Sequence, residues 1–194
     1  MKRSFLAVLS AGALLAATAC NPTTDTTTAT TDTATEGTAA DMTTPASTAP
    51  MMSDAEFMKM VATGGHNEMG LSQVALAKGA SGETKSYADM MINDHKEAGE
   101  ELKAIAASKN VTLPTEMDAE HMAIKTEMEA MAAEQATQKY AQQMVVDHQK
   151  TVDAFQSEIQ NGTDAEVKAF ASKVLPTIQA HLEAAKKLPG AMAN

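Results

Sequence analysis

A nine-residue segment with helical periodicity occurs twice in the chain, and this repeat constrains the fold more than any other feature. Residues 87–95 and 140–148 share five of nine positions, which are Tyr, Ala, Met, Asp and His. Each copy follows another helical segment after a short turn, so each belongs to a helical hairpin. Two helical hairpins close into a four-helix bundle. We therefore predict an all-α fold, a four-helix bundle with an additional C-terminal helix.

Composition and helix signals outside the repeat favour the same fold class. Aromatic residues make up 3% of the chain, whereas Ala, Met, Glu, Lys and Gln are abundant, and this balance favours helices over strands. Residues 53–56 and 163–166 have the spacing of a capping box. Pro176 is expected to kink or split the last helix. The predicted helices cover residues 54–79, 83–109, 115–133, 136–160 and 164–187.

The N-terminal segment resembles the signal peptide of a bacterial lipoprotein. Lys2 and Arg3 precede an apolar stretch over residues 5–17, which is too short to span a bilayer. Residues 15–20 resemble a lipobox, and Cys20 is the single cysteine of the chain. We predict a signal peptide over residues 1–19 and an acylated, palmitate-bearing Cys20 that anchors the protein in a membrane. Asn21 favours the outer membrane, facing the periplasm, if the host is Gram-negative.

The remaining chain is predicted to comprise a tether, one domain and a short tail. Residues 20–52 are dominated by Thr and Ala, so we expect a disordered tether. Residues 53–188 suffice for a single core, and residues 189–194 are expected to be disordered. The formal charge is −10, and it becomes −12 without Lys2 and Arg3. This acidity argues against a nucleic-acid partner.

Polar residues on the apolar stripes of the helices are the candidate site. An advance of about 100° per residue identifies the side chains that face the bundle interior. Those side chains are Glu68, His95, His121 and His148, and their neighbours are Asp94, Asp147 and His181. A buried carboxylate is costly unless it is paired, hydrogen-bonded or bound to a metal. These seven residues are therefore expected to be partners of one another.

Two interpretations of this polar set stay open. A metal site would use imidazoles and a carboxylate, a donor set that suits iron, zinc or copper. A structural network would instead use hydrogen bonds to fix helix register. Met91 and Met144 lie one turn before His95 and His148, where thioethers would favour cuprous ion, although methionine also fills helical cores.

The sequence leans away from an enzyme without excluding one. It contains no Gly-rich phosphate loop, no His-Glu-x-x-His and no serine elbow, and we expect its one cysteine to be acylated. A third interpretation is an envelope stress or interaction module that presents its surface to another envelope protein. The sequence sets neither a substrate nor an oligomeric state.

Short motifs that occur in order along the predicted helices resemble a known family. They are Gly64-Gly65, Glu68, Gly70-Leu71, Ala77, Asp94-His95, Leu113-Pro114, Asp147-His148, Leu175-Pro176 and His181-Leu182. Over residues 53–187 the chain resembles the domain of unknown function 4142 family of exported and outer-membrane bacterial proteins. The resemblance implies a ferritin-like helical bundle in the cell envelope and brings no established activity. Ferritin-like di-iron proteins use Glu-x-x-His, whereas here Ile92 and Val145 stand at the glutamate positions, so the di-iron ligand set is not carried over.

Overall fold

The structure is a computed structural model that describes residues 52–191 of the 194-residue chain. These residues form five α-helices and no strand, which confirms the predicted all-α class. The helices are α1 (Asp54–Ala77), α2 (Gly82–Ser108), α3 (Ala119–Ala130), α4 (Ala133–Asn161) and α5 (Ala165–Ala185). Within this part of the chain, none of the helices combines the length and apolar composition needed to cross a membrane. The predicted signal peptide, Cys20 and the tether up to residue 51 lie outside the described residues.

Side-chain caps set the first residues of α1 and α5. The predicted capping box forms at α1, where the Ser53 N–H donates to Glu56 Oε2 at 2.9 Å and the Glu56 N–H donates to Ser53 Oγ at 3.3 Å. At α5 the cap is Asp164 and not the predicted Thr163. The Thr163 N–H instead donates to Asp54 Oδ1 at 2.9 Å, which links the starts of the two helices. The helix α5 then runs through Pro176 without being split.

The helix α3 is shorter than the predicted segment 115–133. Asp118 caps its start by accepting from the His121 N–H at 2.8 Å, and residues 111–115 are not helical. The backbone turns extended at Met131, with φ −73° and ψ 159°. At 1.5 Å per residue, the 12 residues of α3 span about 18 Å, whereas the 29 residues of α4 span about 44 Å. The helix α3 is therefore too short to run the length of the bundle.

The four long helices contact one another in a ring: α1 contacts α2, α2 contacts α5, α5 contacts α4, and α4 contacts α1. The helix α3 packs on α1 and α4. Our prediction that the C-terminal helix is the additional one is therefore wrong, because α5 completes the bundle and α3 is the additional helix. The physical reason is length, since only a long helix can bury a continuous apolar stripe along the whole core.

The core contains two apolar clusters that use different parts of the long helices. One includes Leu71, Tyr87, Met91, Tyr140 and Met144, and the other includes Phe57, Leu102, Phe155, Phe170 and Ile178. On α1, α2 and α4 a polar residue falls in sequence between the two clusters, and on α5 the polar residue lies between Ile178 and Leu182 of the second cluster, four residues before Ala185 of the first. These residues are Glu68, His95, His148 and His181. The helix pattern thus places one polar layer of ionisable residues, one from each long helix, beside the apolar clusters.

The packed domain extends beyond residue 188, where we expected a disordered tail to begin. Gly190 has a φ of 77°, which glycine adopts without strain, and its carbonyl accepts from the Gln142 side chain at 3.1 Å. Leu188 and Ala191 are buried in the cluster that contains Leu71. The turn therefore returns the chain onto α4, and only residues 192–194 of the predicted tail lie outside the described part.

Candidate metal centre

The polar layer brings together four ionisable side chains, one from each long helix. Glu68 comes from α1, His95 from α2, His148 from α4 and His181 from α5. One ligand nitrogen from each histidine lies within 4.8 Å of those of the other two. His148 is 1% exposed, and Glu68 and His181 are each 3% exposed. The ring of long helices thus encloses a site that is largely closed to solvent.

Hydrogen bonds to the outer nitrogens orient two of the three imidazoles. His148 Nδ1 donates to the Met144 carbonyl oxygen at 2.9 Å, and His181 Nε2 donates to Asp94 Oδ2 at 2.9 Å. In a neutral imidazole the second nitrogen then carries a free lone pair. His148 Nε2 and His181 Nδ1 are both buried without a hydrogen-bond partner. Such support of the outer nitrogen is typical of histidines that bind metal.

Glu68 contacts two of the three histidines of the layer, His95 and His148. Its Oε2 is 2.7 Å from His95 Nε2, and its Oε1 is 3.1 Å from His148 Nδ1. His95 Nε2 thus pairs with the Glu68 carboxylate and has no other partner. His148 Nε2 and His181 Nδ1 are therefore uncommitted, whereas His95 Nε2 faces the buried Glu68 carboxylate.

The electrostatics of the layer favour one bound cation. Burial alone would raise the pKa of Glu68, but the adjacent His148 and His95 outweigh it and lower that pKa to about 2. Burial lowers the pKa of His181. Burial would also lower the pKa of His95, but the Glu68 carboxylate prevails and raises it. At neutral pH the ionised Glu68 therefore attracts either a proton held on His95 or a metal ion.

The donor atoms of the layer fit a transition-metal ion. Within residues 52–191, three of the five buried side-chain N and O atoms that lack a hydrogen-bond partner are its ring nitrogens. Tetrahedral bonds of about 2.0–2.2 Å place ligand atoms about 3.4 Å apart, so the nitrogens, now within 4.8 Å, would need to close by about 1.5 Å at most. Three imidazoles and a carboxylate suit zinc, iron or copper.

The structure places two of the seven predicted site residues, His121 and Asp147, in a separate network. His121 Nδ1 lies 2.9 Å from Asp118 Oδ1, and its Nε2 lies 3.2 Å from Asp147 Oδ2. The Gln143 side chain donates to Asp147 Oδ1 at 2.9 Å. With both ring nitrogens engaged, His121 has no free donor atom for a metal, and the network joins α3 to α4. The remaining five, Glu68, Asp94, His95, His148 and His181, lie in or directly against the layer.

Sequence reasoning missed several groups that support these sites. Asp118 and Gln143 were not singled out, although each stands one helical turn from its partner in sequence, which is the available signal. Asn67, whose side chain donates to Asp118 Oδ2 at 2.8 Å, lies 51 residues away and gave no such signal. Met91 and Met144 belong to the apolar cluster, which agrees with a packing role for their side chains.

Comparisons with known proteins give a family and a fold. The sequence profile of a family described as "Domain of unknown function (DUF4142)" matches residues 21–188. Among solved structures, the chain is similar to a crystal structure of a DUF305 fragment from Deinococcus radiodurans, with a TM-score of 0.61 and 15% sequence identity. That similarity covers 69% of this chain and 92% of the other, and at this identity it supports the fold alone. No curated protein matches the chain.

Proposed function

The chain belongs to the DUF4142 family, and we propose that it binds one transition-metal ion in the polar layer of its bundle. His95, His148 and His181, whose ring nitrogens lie close together, would be the ligands. The Glu68 carboxylate, which contacts His95 Nε2 but lies outside that group of three nitrogens, would move to become the fourth. The observation that carries this proposal is the convergence of three histidine ring nitrogens, one from each residue, within 4.8 Å of one another and next to a buried carboxylate. Asp94 and the Met144 carbonyl would hold two of the rings in place from outside.

One ion, and not two, is the number that this ligand set supports. We infer that the bundle is of the ferritin-like type, in which di-iron proteins place a glutamate on each of two helices and a Glu-x-x-His on each of the other two. Here the layer supplies a single carboxylate, that of Glu68. A carboxylate-bridged pair of ions would lack its bridging ligands. Iron, zinc and copper all accept the set that is present.

The test is metal content compared between two histidine variants. Full-length protein, purified without chelator, is expected to hold about one equivalent of iron, zinc or copper, and His148→Ala is expected to hold none. His121→Ala is the matched control, because it removes another buried histidine, whose two nitrogens are already engaged. It should keep the ion. Wild-type protein that binds none of the three metals at micromolar concentration would show the proposal to be wrong.

A hydrogen-bonded polar core is the second candidate, and the contacts of Glu68 favour it specifically. Its two oxygens already lie 2.7 Å and 3.1 Å from nitrogens of His95 and His148, so a proton on one imidazole would neutralise the buried charge. In that case His148→Ala should lower the free energy of unfolding by about 1–3 kcal/mol, and chelator should not change the melting of the wild type. For a metal protein, chelator should lower the melting temperature of the wild type but not that of His148→Ala.

We also propose that the domain is held at a membrane through acyl chains on Cys20. The support is the order of a basic start, an apolar stretch and the lipobox-like residues 17–20. Cys20→Ser is expected to move the protein from the membrane fraction to the soluble fraction, since no other residue can carry the thioether-linked lipid. A variant that stays in the membrane fraction and migrates like the wild type would contradict the anchor. If the protein is anchored in this way, other proteins of the cell envelope are its candidate binding partners.

A further inference from the structure

A cavity of about 50 Å³ borders the candidate metal centre. Glu68, His95 and His181 form part of its wall. One water molecule needs roughly 10–15 Å³ of such space, so the cavity has room for a few waters or for one molecule of two or three heavy atoms. A ligand in this space would lie against the residues that we assign to the ion.

The rest of the cavity wall is mostly apolar, and Asp94, Thr151 and Thr177 are its other polar residues. Met60, Val61, Phe155, Val174 and Ile178 line it. An anion that entered would lose its hydration without gaining polar partners from these side chains, which is costly. An uncharged molecule of low polarity loses little on entry. The lining therefore favours an uncharged ligand.

Two glycines in the middle of α1 border the same cavity, Gly64 and Gly65. A glycine in a helix interior is less stable than an alanine. A Cβ atom at Gly64 would meet no atom within 4 Å, so packing of neighbours does not require glycine there. A Cβ at Gly65 would lie 3.7 Å from His95 Nδ1. At Gly64 the missing side chain leaves space open beside the candidate metal ligands, at a cost in helix stability.

We infer that this cavity binds an uncharged diatomic molecule, of the class of nitric oxide, carbon monoxide and dioxygen, as a further ligand of the metal ion. This inference rests on the proposed metal site. An iron ion accepts more than four ligands, so three imidazoles and one carboxylate would leave a position open. His95 and His181 both border the cavity, so a molecule in it could reach an ion that these residues hold. The step is coordination alone, in which the molecule donates a lone pair to the ion and no bond breaks.

Nitric oxide binding to the iron form tests the inference. Full-length protein is loaded anaerobically with ferrous ion, its iron content is measured, and nitric oxide is titrated while the absorbance and electron paramagnetic resonance of an iron–nitrosyl complex are followed. We expect one nitric oxide per iron. Gly64→Val, which fills the cavity, should weaken nitric oxide binding by about tenfold or more. If this variant folds poorly, the smaller Gly64→Ala should give a weaker effect in the same direction.

Gly99→Val is the matched control, because Gly99 is an exposed glycine of α2 with no atom within 4 Å of its Cβ position. It should bind nitric oxide as the wild type does. Protein that holds iron but forms no nitrosyl complex, or equal affinities in the Gly64 and Gly99 variants, would overturn the inference and leave the metal site standing. Protein that takes up no ferrous ion, and no zinc or copper either, would overturn both.

Discussion

The two tyrosines of the repeat occupy equivalent sequence positions but differ in hydrogen bonding. The Tyr140 hydroxyl lies 2.7 Å from Ser72 Oγ, which itself donates to the Glu68 carbonyl oxygen at 2.7 Å, so Tyr140 is the donor to Ser72. The Tyr87 hydroxyl is buried without a partner. Burial raises the pKa of both phenols, so both stay protonated at neutral pH. One hydroxyl thus contributes a hydrogen bond, and the other only loses its hydration.

We predict opposite effects of removing these two hydroxyls. Tyr140→Phe should lower the free energy of unfolding by about 1 kcal/mol, because Ser72 loses its donor inside the core. Tyr87→Phe should be neutral or stabilising, because it removes a hydroxyl that is already unsatisfied. Urea denaturation of the two variants, each the control for the other, measures the difference. Equal losses of stability in both would show that Tyr87 has a hydrogen-bond partner.

Histidine shows how far sequence reasoning reaches at this scale. Helical periodicity places His95, His121 and His148 on interior faces, and all three are at least partly buried. Periodicity does not show which ring nitrogens form hydrogen bonds. That property distinguishes the two residues, because both nitrogens of His121 are engaged whereas His148 Nε2 has no partner. His181 lies near the edge of the apolar face of α5, so periodicity alone does not predict that it belongs to the layer. The packing of α5 against α4 and α2 places it there.

Among the helices, the meeting point of α1, α4 and α5 contains another buried carboxyl group. Glu158, near the end of α4, is 4% exposed, and its Oε1 has no hydrogen-bond partner. Burial, together with the neighbouring Asp54 carboxylate at the start of α1, raises the pKa of Glu158 from 4.5 to about 7. Hydrogen bonds from Thr163 lower the pKa of Asp54 to about 2. The folded protein therefore holds a proton on Glu158 that the unfolded chain releases at lower pH.

This proton gives a pH dependence with a defined sign. Between pH 4.5 and about 7 the folded state binds more protons at Glu158 than the unfolded state, so its contribution to stability falls as the pH rises through this window. Glu158→Gln keeps the shape and cannot ionise, so the variant should gain stability relative to the wild type as the pH rises. Urea denaturation of both proteins at about pH 5 and about pH 8 checks this. The candidate metal ligands titrate in both proteins and cancel in the difference. A pH-independent difference would contradict the assignment.

The helices themselves were largely predictable, whereas their assembly was not. Capping at Ser53 and the apolar periodicity of α1 and α2 are local properties, and the predicted and observed bounds agree to within a few residues there. The arrangement of the bundle depends on which helices are long enough to pair, and that followed from the cap at Asp118 and the break at Met131. Because these two features limit the length of α3, α5 is the fourth helix of the ring. His181 therefore lies in the polar layer.

For the whole molecule, the position of its C-terminal boundary follows from packing after α5. Composition suggested that order ends near residue 188, because only a few small residues follow. The turn at Gly190 lets these residues fold back, and the buried Leu188 and Ala191 join the apolar cluster on one side of the polar layer. Hence the last residues of the domain cover part of the cluster that contains Leu71.

We therefore predict that a fragment of residues 52–191 is more stable than a fragment of residues 52–187. The shorter fragment loses the buried Leu188 side chain, a burial worth about 1.5–3 kcal/mol, and also the bond between Gln142 and the Gly190 carbonyl. Both fragments should be helical by circular dichroism, and urea denaturation measures the difference in the free energy of unfolding. In the longer fragment, Leu188→Ala is the matched control and should account for most of the loss. Equal stabilities would mean that the turn at Gly190 does not hold the chain end in solution, and the domain would then end with α5.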